Sequence, residues 1–157
     1  MKHAAKRRRY RVRTAVGTFV LTVEDKKILG VGMGSSAGTL AAPNDLHRAF
    51  EGVLAGRRMR GWSLVYEGSP LERSVWRRLS RIPYGATVSY SDVARAAGHA
   101  RAVRAVASAI GRNPLPVLVP CHRVIRKGGA IGGYAGALRI KKGLLALERK
   151  RTTGGKV

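Results

Sequence analysis

One residue in the chain has the chemistry of a soft nucleophile: Cys121, the single cysteine among 157 residues. A lone cysteine excludes an intrachain disulfide and a multi-cysteine zinc site, leaving either an inert buried thiol or a reactive one. A thiol attacks only as its thiolate, and a histidine oriented by a carboxylate is a common way to generate one. His122 follows directly, and Glu148 is the only acid after Asp92. Successive side chains of an extended segment point to opposite faces, so Cys121 and His122 meet only through a bend or a bridging water. A relay from Cys121 through His122 to Glu148 is therefore expected, rather than a direct pair. Beyond the cysteine, Gly132, Gly133, Tyr134, Ala135 and Gly136 form a loop that can approach a planar ligand closely, with Tyr134 as a stacking or lining residue.

Several elements must position these groups. Asn113-Pro114-Leu115-Pro116 breaks a helix, and Val117-Leu118-Val119 is expected to cross the core in extended form and deliver Cys121. Ser69-Pro70-Leu71-Glu72 combines a capping box with proline at the first helical position, a clear helix start. Ser89-Tyr90-Ser91-Asp92 opens a second, short helix that runs into Gly98. Another helix begins near Arg101, and two helices joined through a glycine-containing turn describe a helix-turn-helix. On its second helix Arg101, Arg104 and Ser108 share a face flanked by Ala102, Ala105, Ala107 and Ala109. That face is either an ordinary solvated one or a surface small enough to enter a nucleic-acid groove. A last amphipathic helix with Leu138, Leu144, Leu145 and Leu147 is expected to end at Glu148, before a basic tail.

Upstream, Ala15–Val23 and Ile28–Met33 read as a β-hairpin about Glu24–Lys27, followed by a helix from Asp45 to about Arg57 and a strand over Trp62–Tyr66. The basic segment Met1–Arg13 reads as a mobile arm or a ragged first strand. The expectation is an α+β chain with a small N-terminal ββαβ domain over residues 1–67. A mostly helical domain carrying the helix-turn-helix follows over residues 68–157, with the linker at Glu67-Gly68.

Charge points to the partner. The 31 lysines and arginines against 8 acids leave a net +23, which self-repulsion makes costly and a polyanion makes useful. Nucleic acid is the first candidate and an anionic membrane surface the second, against a basic face with no partner at all. No apolar run approaches the roughly 18 residues of a membrane span, and arginines interrupt any signal-peptide core, so a soluble cytoplasmic protein is expected. The chain has no Gln and only Asn44 and Asn113, a composition that hints at a hot environment.

Ile82-Pro83-Tyr84-Gly85 with Ser89-Tyr90, Arg101 to Pro114, Pro120-Cys121-His122-Arg123-Val124-Ile125 and Gly129 to Leu138 occur in the order and spacing of the O6-alkylguanine-DNA alkyltransferase family. The resemblance covers roughly Ser69 to Glu148. It implies that Cys121 accepts the alkyl group irreversibly in one turnover, and that His122, oriented by Glu148, takes the thiol proton through water. Tyr90 would hydrogen-bond or protonate the departing guanine. It further implies a minor-groove helix carrying Arg101, Arg104, Ala105 and Ser108, with Arg104 filling the gap left by an extruded base. Tyr134 and the Gly132, Gly133, Ala135 and Gly136 loop would line the base pocket, and Asn113 would fix the turn behind it. Some relatives carry a hydroxyl residue where this chain has Ala135, and some hold zinc in the first domain, which a single cysteine makes improbable. No metal or cofactor is expected, and the partner would be double-stranded DNA containing O6-alkylguanine, bound by a monomer, with O4-alkylthymine left open as a further substrate. A basic architectural or ribosomal nucleic-acid binder and a Cys-His hydrolase are the rival readings.

Overall fold

Tyr10 and Val12 alternate with Arg9, Arg11 and Arg13, a period of two that a strand meets by turning the apolar residues inward. In the computed structural model, which describes residues 4–35, 37–134 and 137–154, this segment is strand β1 (Arg7–Thr14). It pairs antiparallel with β2 (Gly17–Glu24) from Arg7 opposite Glu24 to Thr14 opposite Gly17. β2 pairs with β3 (Lys27–Met33), with a bulge at Thr22/Val23. Two short strands, β4 (Leu40–Ala41) and β5 (Ser63–Leu64), add in parallel at the edges, so the sheet runs β4-β1-β2-β3-β5. The expected ββαβ unit is thus a five-stranded sheet with one helix, because the arginine-rich segment supplies a full strand. Helix α1 (Asn44–Leu54) covers the sheet's inner face, where Phe50 meets Phe19 at 5.1 Å between ring centroids. It stops at Leu54, short of Arg57, as the chain turns at Gly56 with φ +85°.

The second half begins on the Ser69 cap. Its hydroxyl accepts from the Glu72 N–H while the Glu72 carboxylate accepts from the Ser69 N–H, starting α2 (Pro70–Leu79). The indole of Trp76 on α2 donates to the Ala109 carbonyl at 2.9 Å, fixing α2 against α4 (Val103–Gly111). Strand β6 (Val88–Ser89) leads into α3 (Tyr90–Ala96) through a second capping box, Ser89 with Asp92. Gly98, at φ +82°, turns the chain toward α4. α3 and α4 form the expected helix-turn-helix, with one correction. Ala102 is the residue that caps α4, so Arg101 lies in the turn before the helix and not on its exposed face. Strand β7 (Val124–Ile125) pairs in parallel with β6. The final helix α5 (Leu138–Thr153) continues past Glu148 to Thr153. Val31 donates to the Pro114 carbonyl at 2.8 Å, and apolar residues of the sheet and of the helices share one buried cluster.

Candidate active site

The path to Cys121 is bent, not extended. Val117 holds φ +76°, a left-handed conformation that a β-branched residue adopts at a cost of about 1 kcal/mol or more. At Pro120 (φ −78°, ψ 65°) an inverse γ-turn brings the Cys121 N–H to the Val119 carbonyl at 2.7 Å. Cys121–Arg123 is then one turn of 3-10 helix. Alternation no longer applies in such a turn, and three consecutive side chains reach the interior together: Cys121, His122 and Arg123 are all buried. The extended delivery read from Val117-Leu118-Val119 is therefore corrected, with prolines 114, 116 and 120 and the strain at Val117 as the physical reason.

His122 is 1% exposed, and its Nε2 lies 2.7 Å from Glu148 Oε1. A carboxylate accepts and cannot donate, so the imidazole keeps its proton on Nε2 and its lone pair on Nδ1. Nδ1 is buried with no hydrogen-bond partner among the described residues. Burial lowers the proton affinity of His122 below the ordinary value of 6.5 despite the carboxylate beside it. For Glu148 burial would raise the pKa, yet hydrogen bonds from His122, Arg123 and the Gly85 N–H outweigh it and hold the carboxyl at about 2. Burial pushes the Cys121 thiol up, offset in part by Asn113, Tyr134 and Lys141. The resting cysteine is thus a protonated thiol beside a neutral imidazole.

Two buried cations beside the site had escaped the sequence reading. Arg123 donates from Nε to both Glu148 oxygens, at 3.1 and 3.0 Å, from one terminal nitrogen to Oε1 at 2.9 Å and from the other to the Ile82 carbonyl at 2.7 Å. Its place directly after Cys-His was the available signal. Lys141, with no exposed surface, donates to the Val124 carbonyl at 2.7 Å and the Gly133 carbonyl at 3.4 Å, tying β7 to the glycine loop from α5. Nothing in an amphipathic pattern marks a lysine for the interior, since lysine is almost never fully buried.

Cys121 forms part of the wall of a cavity of about 510 Å³, with Tyr90, Arg104, Asn113, Gly133 and Tyr134 also in the lining. Helix α4 contributes Val103, Arg104, Ala107, Ile110 and Gly111 to the same cavity. Asn113 is locked by donating to the Val119 carbonyl at 2.8 Å and accepting from the Leu115 N–H at 3.0 Å. Tyr134 is buried close enough to Cys121 for each to influence the other's ionisation, and its hydroxyl makes no hydrogen bond among the described residues. Gly132, at φ +73°, stands against Tyr90: a Cβ there would lie 3.2 Å from the tyrosine hydroxyl. Ala105 and Ser108 are exposed on α4 but outside the cavity lining, and Arg101 is exposed in the turn before it. Ala135 and Gly136 lie outside the described residues. Among the described residues no three His, Cys, Asp or Glu side chains gather as a metal would need. No described helix is long and apolar enough to cross a membrane.

A family model described as the DNA-binding domain of 6-O-methylguanine DNA methyltransferase matches residues 70–150. The constitutive methylated-DNA–protein-cysteine methyltransferase of Bacillus subtilis (strain 168) is 53% identical over 109 residues, covering 69% of this chain and 64% of that protein. The probable methylated-DNA–protein-cysteine methyltransferase of Acanthamoeba polyphaga mimivirus is 38% identical over 146 residues, covering 90% and 96%. The crystal structure of Mycobacterium tuberculosis OGT in complex with DNA superposes with a TM-score of 0.79 at 30% identity, over 92% of this chain and 94% of that one. The match to the Bacillus protein thus spans just under two thirds of that relative, whereas the viral and mycobacterial chains are matched almost end to end. A family model over more than half the chain and a full-length relative above 30% identity place the chain in the methylated-DNA–protein-cysteine methyltransferase family, which repairs O6-methylguanine in DNA by methyl transfer to a cysteine.

Proposed function

We propose that Cys121 is the alkyl acceptor and that His122, Glu148 and Tyr90 are the groups that move its proton and receive the leaving base. A base extruded from duplex DNA enters the cavity with its O6-alkyl carbon toward Cys121 Sγ. The S–C bond forms as the C–O6 bond breaks, in line. The thiol proton passes through a bridging water to His122 Nδ1, while Nε2 stays on Glu148. Tyr90 donates a hydrogen bond or its proton to the departing guanine, stabilising charge where it develops. Burial raises the phenol pKa of Tyr90, so the hydroxyl keeps its proton until then. The product is a thioether, which water does not cleave, so each molecule acts once.

DNA is bound through α4. Ala105 and Ser108 leave its exposed face low enough for close approach to a groove, and Arg104, at the cavity mouth, takes the place of the extruded base. Extrusion costs a few kcal/mol, which such an occupant offsets. Arg101 adds a phosphate contact, and Asn113, Gly132, Gly133 and Tyr134 shape the base pocket. The observation that carries this reading is the position of a buried thiol on the wall of a cavity rimmed by α4, next to an imidazole whose buried Nδ1 has no hydrogen-bond partner among the described residues. Duplex DNA carrying O6-methylguanine labelled in the methyl group tests it. One equivalent of label on the protein, abolished by Cys121→Ala, is expected. Repeated turnover would favour a Cys-His hydrolase, and no transfer a nucleic-acid binder in which the cysteine is incidental.

A further inference from the structure

Ile82-Pro83-Tyr84-Gly85 marks the chain strongly, yet no residue of it touches the cavity that holds Cys121. Three of its contacts lead to one ion pair. The Ile82 carbonyl accepts from Arg123 at 2.7 Å, the Gly85 N–H donates to Glu148 Oε2 at 3.0 Å, and the guanidinium lies 5.4 Å from the centroid of the Tyr84 ring. Tyr84 is itself anchored, donating to the Leu54 carbonyl at the end of α1 at 2.7 Å. Gly85 must be glycine: φ is +81°, and a Cβ would fall 2.4 Å from Thr152 Cγ2 on α5. The loop and Arg123 together occupy both oxygens of Glu148, and His122 is the remaining donor on Oε1.

We propose that Arg123, held by this loop, is a positioning residue that neutralises Glu148 so that His122 stays an uncharged base. The proposal rests on His122 acting as the base for Cys121. A lone carboxylate 2.7 Å from an imidazole would favour imidazolium, and an imidazolium has no lone pair to take the thiol proton. Here the carboxylate is already matched by a guanidinium on the same two oxygens. Among the described residues, the charged groups that act on His122 are Glu148 and Lys141 from α5 and Arg123 from its own turn, with Cys121 its neighbour in that turn and Tyr84 behind the ion pair. A protonated His122 would therefore add a cation where Arg123 and Lys141 already stand, against one carboxylate. Glu148 can orient the ring through its hydrogen bond without charging it. Arginine suits the task because its planar fork serves the carboxylate and the Ile82 carbonyl together, which a lysine ammonium cannot match.

The test compares Arg123→Met and Arg123→Lys with the unaltered protein by two readouts. One is the pH dependence of the single-turnover reaction with free O6-benzylguanine, which needs no DNA. The other is the titration of the His122 ring by NMR, which needs no reaction. In Arg123→Met the acidic limb of the rate profile and the His122 titration should both move up by about one pH unit, about tenfold in rate on that limb. Arg123→Lys keeps the charge and should restore both positions while remaining slower, its orientation of Glu148 being poorer. A His122 titration that coincides in all three proteins would overturn the proposal, and a rate loss with an unmoved limb would make Arg123 merely structural. Failure of Cys121 as acceptor is distinguishable, since it abolishes transfer in the unaltered protein and leaves the ring titration readable.

Discussion

Two residues at the centre of the site, His122 and Glu148, are ionised differently in the folded and unfolded chain, and the difference has a sign. His122 folds neutral, with its proton affinity lowered by burial from 6.5. The unfolded chain therefore binds a proton that the folded one refuses once the pH falls below about 6.5, and stability declines from there. Glu148 is held at about 2 against an ordinary 4.5, so its contribution is complete above 4.5 and is lost as the pH falls toward 2. Urea midpoints should drop between about pH 7 and pH 5 through His122, and drop again toward pH 3 through Glu148. A midpoint unchanged between pH 7 and 5 would mean that His122 is not buried neutral. Cys121, His122 and Glu148 were legible as a set because the chain has one cysteine, a histidine next to it and one acid downstream. What connects them was not: the alternation rule for strands hid the 3-10 turn that brings Arg123 onto Glu148, and the Gly85 N–H on its other oxygen comes from a loop some sixty positions earlier in the chain.

At the scale of elements, α4 presents exposed Ala105 and Ser108 on one side and Arg104 at the cavity mouth. If Arg104 supports base extrusion, its loss matters only when a base must be extruded. Arg104→Ala should slow transfer from a lesion in duplex DNA by tenfold or more, in line with an extrusion cost of a few kcal/mol, and leave reaction with free O6-benzylguanine within about twofold. Equal losses on both substrates would assign Arg104 to the pocket instead. The helix-turn-helix was readable from Ser89-Tyr90-Ser91-Asp92 and Gly98, since caps and left-handed glycines are local signals. Arg101 was misplaced because the helix is capped by Ala102, a residue with no capping side chain to announce it. The first strand remained undecided between arm and strand because arginine dominates it, although the period-two spacing of Tyr10 and Val12 was there to be used.

For the whole molecule, that strand gives part of the excess charge a location. Arg9, Arg11 and Arg13 lie opposite Thr22, Val20 and Thr18, on the side of β1 away from the buried Val12. None of the three forms an ion pair among the described residues, whereas Arg7 is matched by Glu24 at 2.9 Å. Alternate residues of a strand stand about 6.8 Å apart, so the three guanidinium groups form a regular cationic row. If it engages DNA phosphates, replacing all three by Ser should weaken binding to lesion-free duplex and flatten the logarithmic salt dependence by about 2 to 3, with free-base reaction unaffected. An unchanged slope would leave the row as a solvated face. Under the proposed function, the net +23 serves affinity and search, while the choice of atom attacked belongs to the cavity around Cys121.

That attack is most directly tested by locating the transferred group. After reaction with duplex DNA containing O6-methylguanine, peptide mass spectrometry should find the mass of one added CH2 on Cys121 in every reacted molecule and on no other residue. Unmodified Cys121 alongside complete removal of the methyl group from the DNA would contradict the account.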